Sequence, residues 1–414
     1  MSILFTHIKS LAGIGDYTNP LRGKQLAQFQ QLTDAFLYIE NDKIKAFGSM
    51  HEIPDELKQF DGEQINASGK FILPAFCDSH THLVFAGSRE QEFVDKINGL
   101  SYAEIAAKGG GILNSAKMME AISEDELFEL AQHRLQEVAK MGTGSIEIKS
   151  GYGLSVSSEL KMLRVIKRLK ETSSLTIRAS FLGAHAFPLQ YRDNHQAYIQ
   201  LIINEMLPVI AKEGLADYID VFCENGFFSV DEMEQVCKAG ISFGLKPKLH
   251  INQLNSIGGL QKAIEMNAVS VDHLEVMTDQ DIRDLSSSST IGTLLPTAAF
   301  CLRMPFQPAR QLIDAGTAIA LASDFNPGSS PSANMQFVVA LSCIQMKMLP
   351  EEAFNAATIN GAFAMECAHQ TGSIAIGKKA DIILTKPIPS LAYIPYSFAH
   401  NQIDRVMIAG QFIS

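Results

Sequence analysis

A chain of 414 residues with 46% hydrophobic content is long enough for a large core, as one α/β domain with an appendage or as several smaller domains. Its formal charge of −11 argues against nucleic acid or an anionic membrane as main partner, because both attract basic surfaces. Six cysteines stand singly with no CxxC pair, which argues against a disulfide framework or a cysteine zinc site, and no apolar run reaches the ~18 residues needed to span a bilayer. The expectation is a soluble cytoplasmic protein.

In chain order, residues from about 35 to 72 carry "AFLYIENDKIKAFGS" and "DGEQINASGKFIL", short strands broken by Asn-Asp and Asp-Gly turns. A different rhythm follows, in which a short apolar run, a polar loop and an amphipathic helix recur. The runs are "FILPAFCDSH" (71–80), "GSIEIKS" (144–150), "TIRASFLGAHA" (176–186) and "YIDVFCE" (218–224). They continue as "KPKLHIN" (246–252), "AVSVDHLE" (268–275), "TIGTLLP" (290–296) and "AIALASDFN" (318–326). Between them lie helical patterns such as "EDELFELAQHRLQEVAKMG", where Leu127, Leu130, Leu135 and Val138 share a face and Gly142 supplies a stop. In "SVSSELKMLRVIKRLKE" the stripe is Leu160, Leu163, Ile166 and Leu169.

Strands alternating with helices predict parallel strands joined by helical crossovers, and eight such units predict an α/β fold closed into a (β/α)₈ TIM barrel. The C-terminal "GSIAIGKKADIILTK" and "IDRVMIAGQFIS" are again hairpin-like. The predicted organisation is a barrel over 73–370 and a small β-sandwich assembled from 1–72 and 371–414.

Functional residues of such a barrel stand at the C-terminal ends of its strands. His80 and His82 end the first run, His185 the third, His250 the fifth, His273 the sixth and Asp324 the eighth. Alternate strand residues point to one side, so His80 and His82 both face the barrel axis. With His250 and Asp324 they offer three nitrogens and one oxygen, a set suited to Zn or Fe with a position left for water. His7, His51, His133, His195, His369 and His400 fall in the appended domain, in helices or on peripheral loops, where structural roles are expected. "DFNPGSSP" (324–331) reads as a loop whose backbone N–H groups cradle a carboxylate, and "KGGGI" (108–112) on composition as a flexible loop, with closure over the site as the alternative. Glu147 reads as a barrel-interior partner for Lys149 or a group behind the site, and Tyr102 as a lid contact or simple packing.

These residues resemble the amidohydrolase superfamily of metal-dependent barrels. "DSHTHLVFAGSREQEF", "EIKSGYGL", "GAHAFP", "VFCENGFFS", "LHINQLNSIGG", "DHLE", "LLPTAAF" and "ASDFNPGSSP" are together similar to the imidazolonepropionases of histidine degradation. The resemblance implies hydrolysis of the cyclic amide C–N bond of 4-imidazolone-5-propanoate, a small anion, to N-formimidoyl-L-glutamate. It implies one divalent or trivalent transition-metal ion per subunit, Zn or Fe, held by His80, His82, His250 and Asp324. Arg89, Tyr152, His185 and Gln253 resemble substrate contacts, and Asn326, Gly328 and Ser329 the loop that receives the open-chain product. Asn252 stands where many relatives have an acidic residue, so acid–base work falls to Asp324 and His273, with His185 as donor to the developing oxyanion. Arg89 offers two parallel donors to the propanoate. A homodimer is expected. Two other readings stay open here: a different hydrolase on the same scaffold, such as a nucleobase deaminase, and a binding protein without turnover.

Overall fold

The computed structural model describes residues 2–100, 104 and 110–413. Tyr102, Lys108 and Gly109 lie outside the described residues. The N-terminal strands are β1 (Ser2–Ala12), β2 (Gln31–Glu40), β3 (Lys43–Ser49), β4 (Glu63–Asn66) and β5 (Lys70–Pro74). Eight parallel strands follow: β6 (Phe76–Thr81), β7 (Thr143–Lys149), β8 (Thr176–Ala184), β9 (Tyr218–Cys223), β10 (Lys246–Ile251), β11 (Ser270–His273), β12 (Ile291–Leu294) and β13 (Ile319–Leu321). The chain ends with β14 (Ile382–Pro387), β15 (Ile403–Ile408) and β16 (Gln411–Phe412).

Strands β6 to β13 pair in sequence order, each with the next. The ring is closed where the segment after β13 returns to β6. There His82 N–H donates to Phe325 O (2.8 Å) and Asp324 N–H donates to His80 O (3.0 Å). The buried Asp78 carboxylate adds to that seam by accepting from Ser323 N–H (2.9 Å) and Ser323 Oγ (2.5 Å). The same seam therefore closes the barrel and brings the first-strand histidines to Asp324.

The helices cover the outside because their apolar stripes match the 3.6-residue period. In Glu124–Lys140, Leu127, Ala131, Leu135 and Val138 are buried behind a capping box built by Ser123 and Glu126. Leu130, placed on the same face by the sequence pattern, is instead 40% exposed: it stands one position off the buried stripe. In Val156–Thr172 the whole predicted stripe Leu160, Leu163, Ile166 and Leu169 is buried.

The terminal segments form one mixed sheet in the order β16-β15-β14-β5-β1-β2-β3, with β4 also on β1. It curls on itself. Phe5 of β1 meets Phe412 of β16 edge to face at 6.3 Å, and Ala380 N–H donates to Asp42 O across the fold (2.8 Å). Ile3, Phe5, Leu37, Ile44, Ile382 and Met407 fill the space enclosed, a core separate from that of the barrel. The first predicted run (71–80) proves to be two strands. β5 ends at Pro74 and belongs to the terminal sheet, where Leu73 pairs with Ile383, while β6 starts the barrel at Phe76.

Candidate active site

His80 lies in β6 and His82 one residue past its end, and both imidazoles are buried at the mouth of the barrel. His250, in the last turn of the pleat of β10, sets its Nε2 3.4 Å from His82 Nε2. Asp324, carried by the closing segment, places Oδ1 3.4 Å from His80 Nε2 and 3.5 Å from His82 Nε2. His80 Nε2 and His82 Nδ1 are buried and have no hydrogen-bond partner among the described residues. Two donor groups emerge, His80 with His82 and His250, and His80 with His273 and Asp324.

These observations test the fit of a metal. Four ligands at about 2.0–2.1 Å in a tetrahedron stand about 3.3–3.4 Å apart, close to the 3.4–3.5 Å that separates His82 from His250 and Asp324 from His80 and His82. Burial, together with the charge of Lys149 and the neighbouring rings, holds His80, His82 and His250 well below the ordinary histidine pKa, so each ring is neutral, keeps one N–H and leaves its other nitrogen as a lone pair. A cluster of converging lone pairs without protons between them is favourable only around a cation. The residues fit a single transition-metal ion.

Carboxylates stand behind two of these rings. His80 Nδ1 donates to Asp272 Oδ2 (2.7 Å) and His250 Nδ1 to Asp220 Oδ1 (3.1 Å), which fixes the tautomer that turns each Nε2 towards the mouth. Asp324 and His273 both adopt left-handed backbone, at φ 51° and 91°. Strain of this kind concentrates where a side chain must be aimed off the regular strand direction. Burial, with Glu275 nearby, raises the Asp324 carboxyl to about 7, although His273 pulls the other way. Burial lowers His273, but the Glu275 carboxylate at 3.4 Å from its Nδ1 outweighs it and leaves the imidazole above its ordinary range.

A cavity of about 50 Å³ opens over the donors and brings together most of the residues expected from sequence, among them His82, His185, His250, His273 and Asp324. Tyr152, Gln253, Asn326, Ser329 and Phe222 line it as well, with Tyr152 packed on His82 and His185 and Phe222 on His185 and His250. Tyr152 is delivered by the turn after β7, whose shape depends on Glu159. Its buried carboxylate accepts from Gly151 N–H (3.1 Å), Gly153 N–H (2.7 Å) and Leu154 N–H (3.0 Å). A larger cavity of about 660 Å³, beside Tyr17, Val269 and Phe363, lies at the opposite, N-terminal end of the strands and contains none of these residues.

Two expectations need correction, and Asn252 is placed away from the cavity. His185 Nδ1 lies 2.9 Å from Gly151 O, and a carbonyl only accepts, so Nδ1 carries the proton. Burial pushes the ring pKa down to about 4, with Arg89 contributing, so Nε2 is a lone pair and cannot donate to an oxyanion. The N–H groups of Gly328 and Ser329 do not form an open carboxylate cradle, because both donate to Asn326 Oδ1 (2.8 and 2.7 Å). Asn326 also binds Asp324 O and Ser329 Oγ through Nδ2, so its amide braces the loop from within. Finally, Asn252 turns out of the site: its Nδ2 is 3.5 Å from Asp281 Oδ2, and Gln253 takes the place on the cavity wall.

Arg89 stands at the rim and does not line the small cavity. Its Nε and Nη2 grip Glu92 (3.0 and 2.6 Å), and Glu92 also accepts from Gly111 N–H (2.9 Å), at the end of the glycine-rich segment. The Arg89 guanidinium packs on Gly328, where a Cβ would lie 2.4 Å from Nη1. Glu147 does partner Lys149, at 2.7 Å. Sequence reasoning missed Asp220, Asp272, Glu92, Glu275 and Phe222. The first two carried a signal, since a carboxylate in the middle of an apolar strand ("YIDVF", "SVDH") needs a buried partner.

Comparison with known proteins agrees with this geometry. Residues 71–413 match the amidohydrolase family. An imidazolonepropionase of Flavobacterium johnsoniae is 57% identical over 391 residues, covering 94% of each chain. Another, from Christiangramia forsetii, is 52% identical over the whole of both chains. Among solved structures, Escherichia coli guanine deaminase superposes with a TM-score of 0.74 over 100% of this chain and 99% of its own, at 13% identity. A triazine hydrolase variant gives 0.71 at 14% identity over 99% of this chain and 94% of its own. At such identities the structural likeness speaks for the fold alone.

Proposed function

The chain belongs to the amidohydrolase family, and from that premise we propose that it carries imidazolonepropionase activity. It hydrolyses the cyclic amide C–N bond of 4-imidazolone-5-propanoate and releases N-formimidoyl-L-glutamate, a step of histidine degradation. The observation that supports this reading is the approach of His82 to His250 and of Asp324 to His80 and His82 at metal-ligand spacing, in a chain so similar to imidazolonepropionases.

Those four residues would hold one Zn or Fe ion, since an N₃O donor set accepts both. When bound, such an ion lowers the pKa of a water towards 7 and polarises the scissile carbonyl. Asp324 takes the proton of the attacking water at a carboxylate oxygen. As the new C–O bond forms and the C–N bond breaks, the same oxygen returns the proton to the departing ring nitrogen. His273, whose imidazole Glu275 keeps protonated more readily than usual, donates to the oxygen that gains charge. His185, with its proton committed to Gly151, accepts a ring N–H of the substrate at Nε2. Tyr152, Gln253 and Ser329 complete the wall around the ring, and Arg89 beside Gly328 attracts the propanoate at the rim.

The barrel, which begins with β6 at Phe76, carries this chemistry, and the terminal segments, including β5 up to Pro74, form the supporting sheet. Six cysteines without a disulfide accord with work in the reducing cytoplasm, and among the described residues no helix is long and apolar enough to cross a membrane.

The test is direct. Freshly generated imidazolone propanoate, mixed with the protein, should give formimidoylglutamate. His80→Ala and chelator-treated protein should lose at least about 10³-fold in rate, the scale of losing the activated nucleophile. Turnover of guanine or other nucleobases without turnover of imidazolone propanoate would refute the assignment.

A further inference from the structure

Charged side chains fill the barrel interior below the candidate metal donors, where such barrels ordinarily stack branched apolar residues. Lys149, Lys248, Glu147, Asp220 and Asp272 are all 0% exposed. Lys149 Nζ donates to Glu147 Oε1 (2.7 Å) and Asp220 Oδ2 (2.9 Å) and stands 3.6 Å from Asp272 Oδ2. Lys248 holds Ser270 Oγ (2.7 Å) and Glu147 Oε2 (3.1 Å), with Asp272 at 3.8 Å. Among the described residues, Lys149 alone forms ion pairs with both Asp220 and Asp272. Those are the two carboxylates that accept the Nδ1–H of His250 and His80.

Burying such charges gains little stability over apolar side chains of equal volume, because desolvation offsets the attraction. What the arrangement supplies is geometry. A carboxylate held only by an imidazole can still turn about its Cβ–Cγ bond and carry the ring with it. Here the remaining acceptor capacity is taken up: Asp220 Oδ1 receives His250 N–H (3.1 Å), and Asp272 Oδ1 receives Ser270 Oγ (2.5 Å). One ammonium then joins the two carboxylates from below.

We infer that Lys149 is a positioning residue for the metal site: by holding Asp220 and Asp272 at once it locks the imidazoles of His80 and His250 into one shared orientation, so that the two rings take up a metal as a unit. The inference rests on the metal site proposed above. It adds that the two histidines are energetically coupled through a lysine that touches neither metal nor substrate.

The experiment uses full-length metal-free protein and Co²⁺, with affinity measured by competition with a chelator and ligand geometry followed by the visible Co²⁺ spectrum. Lys149→Met should weaken Co²⁺ binding by about 10–100-fold, the usual effect of removing a group that orients metal ligands, and should change the spectrum. Lys248→Met removes an equally buried ammonium that lacks the Asp220 contact. Because that ammonium reaches Asp272, directly and through Ser270, but not Asp220, its loss should lower the melting temperature comparably while weakening Co²⁺ binding clearly less than Lys149→Met does. Equal losses in both variants, or unchanged affinity in Lys149→Met, would overturn the inference. If Lys149→Met does not fold, Asp220→Asn, Asp272→Asn and the double variant decide. A coupling of about fivefold or more between the two single effects supports a shared support, and simple additivity overturns it. Wild-type protein that binds no Co²⁺ would instead sink the metal reading itself.

Discussion

Gly328 shows how one missing methyl group shapes the rim. A Cβ there would stand 2.4 Å from Arg89 Nη1 and 2.7 Å from Cζ, so Gly328→Ala must push the guanidinium aside. The fold should tolerate this, because the displaced group is the end of a flexible side chain. Substrate binding should not. KM is expected to rise by about 10–100-fold with kcat within a few-fold, the signature of losing a charge-assisted contact made equally in ground and transition states. A fall in kcat with KM unchanged would place Arg89 elsewhere in the reaction. The neighbourhood of Asn252 teaches a related lesson. Strand alternation stops at Ile251, and Asn252 takes a left-handed φ of 57°, which turns its side chain outward and brings Gln253 in. A period-two reading of "HINQ" continues past that point and cannot register the reversal. The His-x-His pair, lying along the strand and its immediate exit, was legible for the same reason that Asn252 was not.

Among the elements, the turn after β7 depends on a single carboxylate. Glu159 sits in the first turn of Val156–Thr172 and accepts three backbone N–H groups of "GYGL". Glu159→Gln keeps the volume but replaces one acceptor oxygen by a donor, leaving at least one buried N–H facing an N–H. A stability loss of about 1–3 kcal/mol is expected in denaturant titration, together with weaker substrate binding as Tyr152 loses its position. An unchanged midpoint would show that water replaces the carboxylate. The eight-strand rhythm was visible in the sequence because each run is short, apolar and separated by a helical stripe. The division of run one was not, since "FILPAFC" runs through Ala75 without a polar break. Only long-range pairing of Leu73 with Ile383 tells which sheet each half joins. Glu92 escaped notice likewise: "SREQEF" reads as an ordinary polar helix start, and its bond to Gly111 N–H depends on a fold the local pattern does not encode.

At the scale of the whole molecule, the terminal sheet ties the first strands of the chain to the last. β5 is flanked by β1 and β14, with Ile72 opposite Leu384. A chain ending at residue 380 would lack β14, β15 and β16 and leave β5 with a bare edge next to the first barrel strand. Such a truncation is expected to be insoluble, or to melt at least about 10 °C lower, by loss of a strand pair and exposure of an aggregation-prone edge. Full solubility with unchanged melting would mean that the barrel is self-sufficient.

The same pairing sets a clock on biosynthesis. Leu73 leaves the ribosome about 310 residues before Ile383, a delay of roughly 15–60 s at ordinary elongation rates. Throughout that interval the nascent polypeptide carries an unsealed strand, and slower translation lengthens its exposure to chaperones and to other emerging chains.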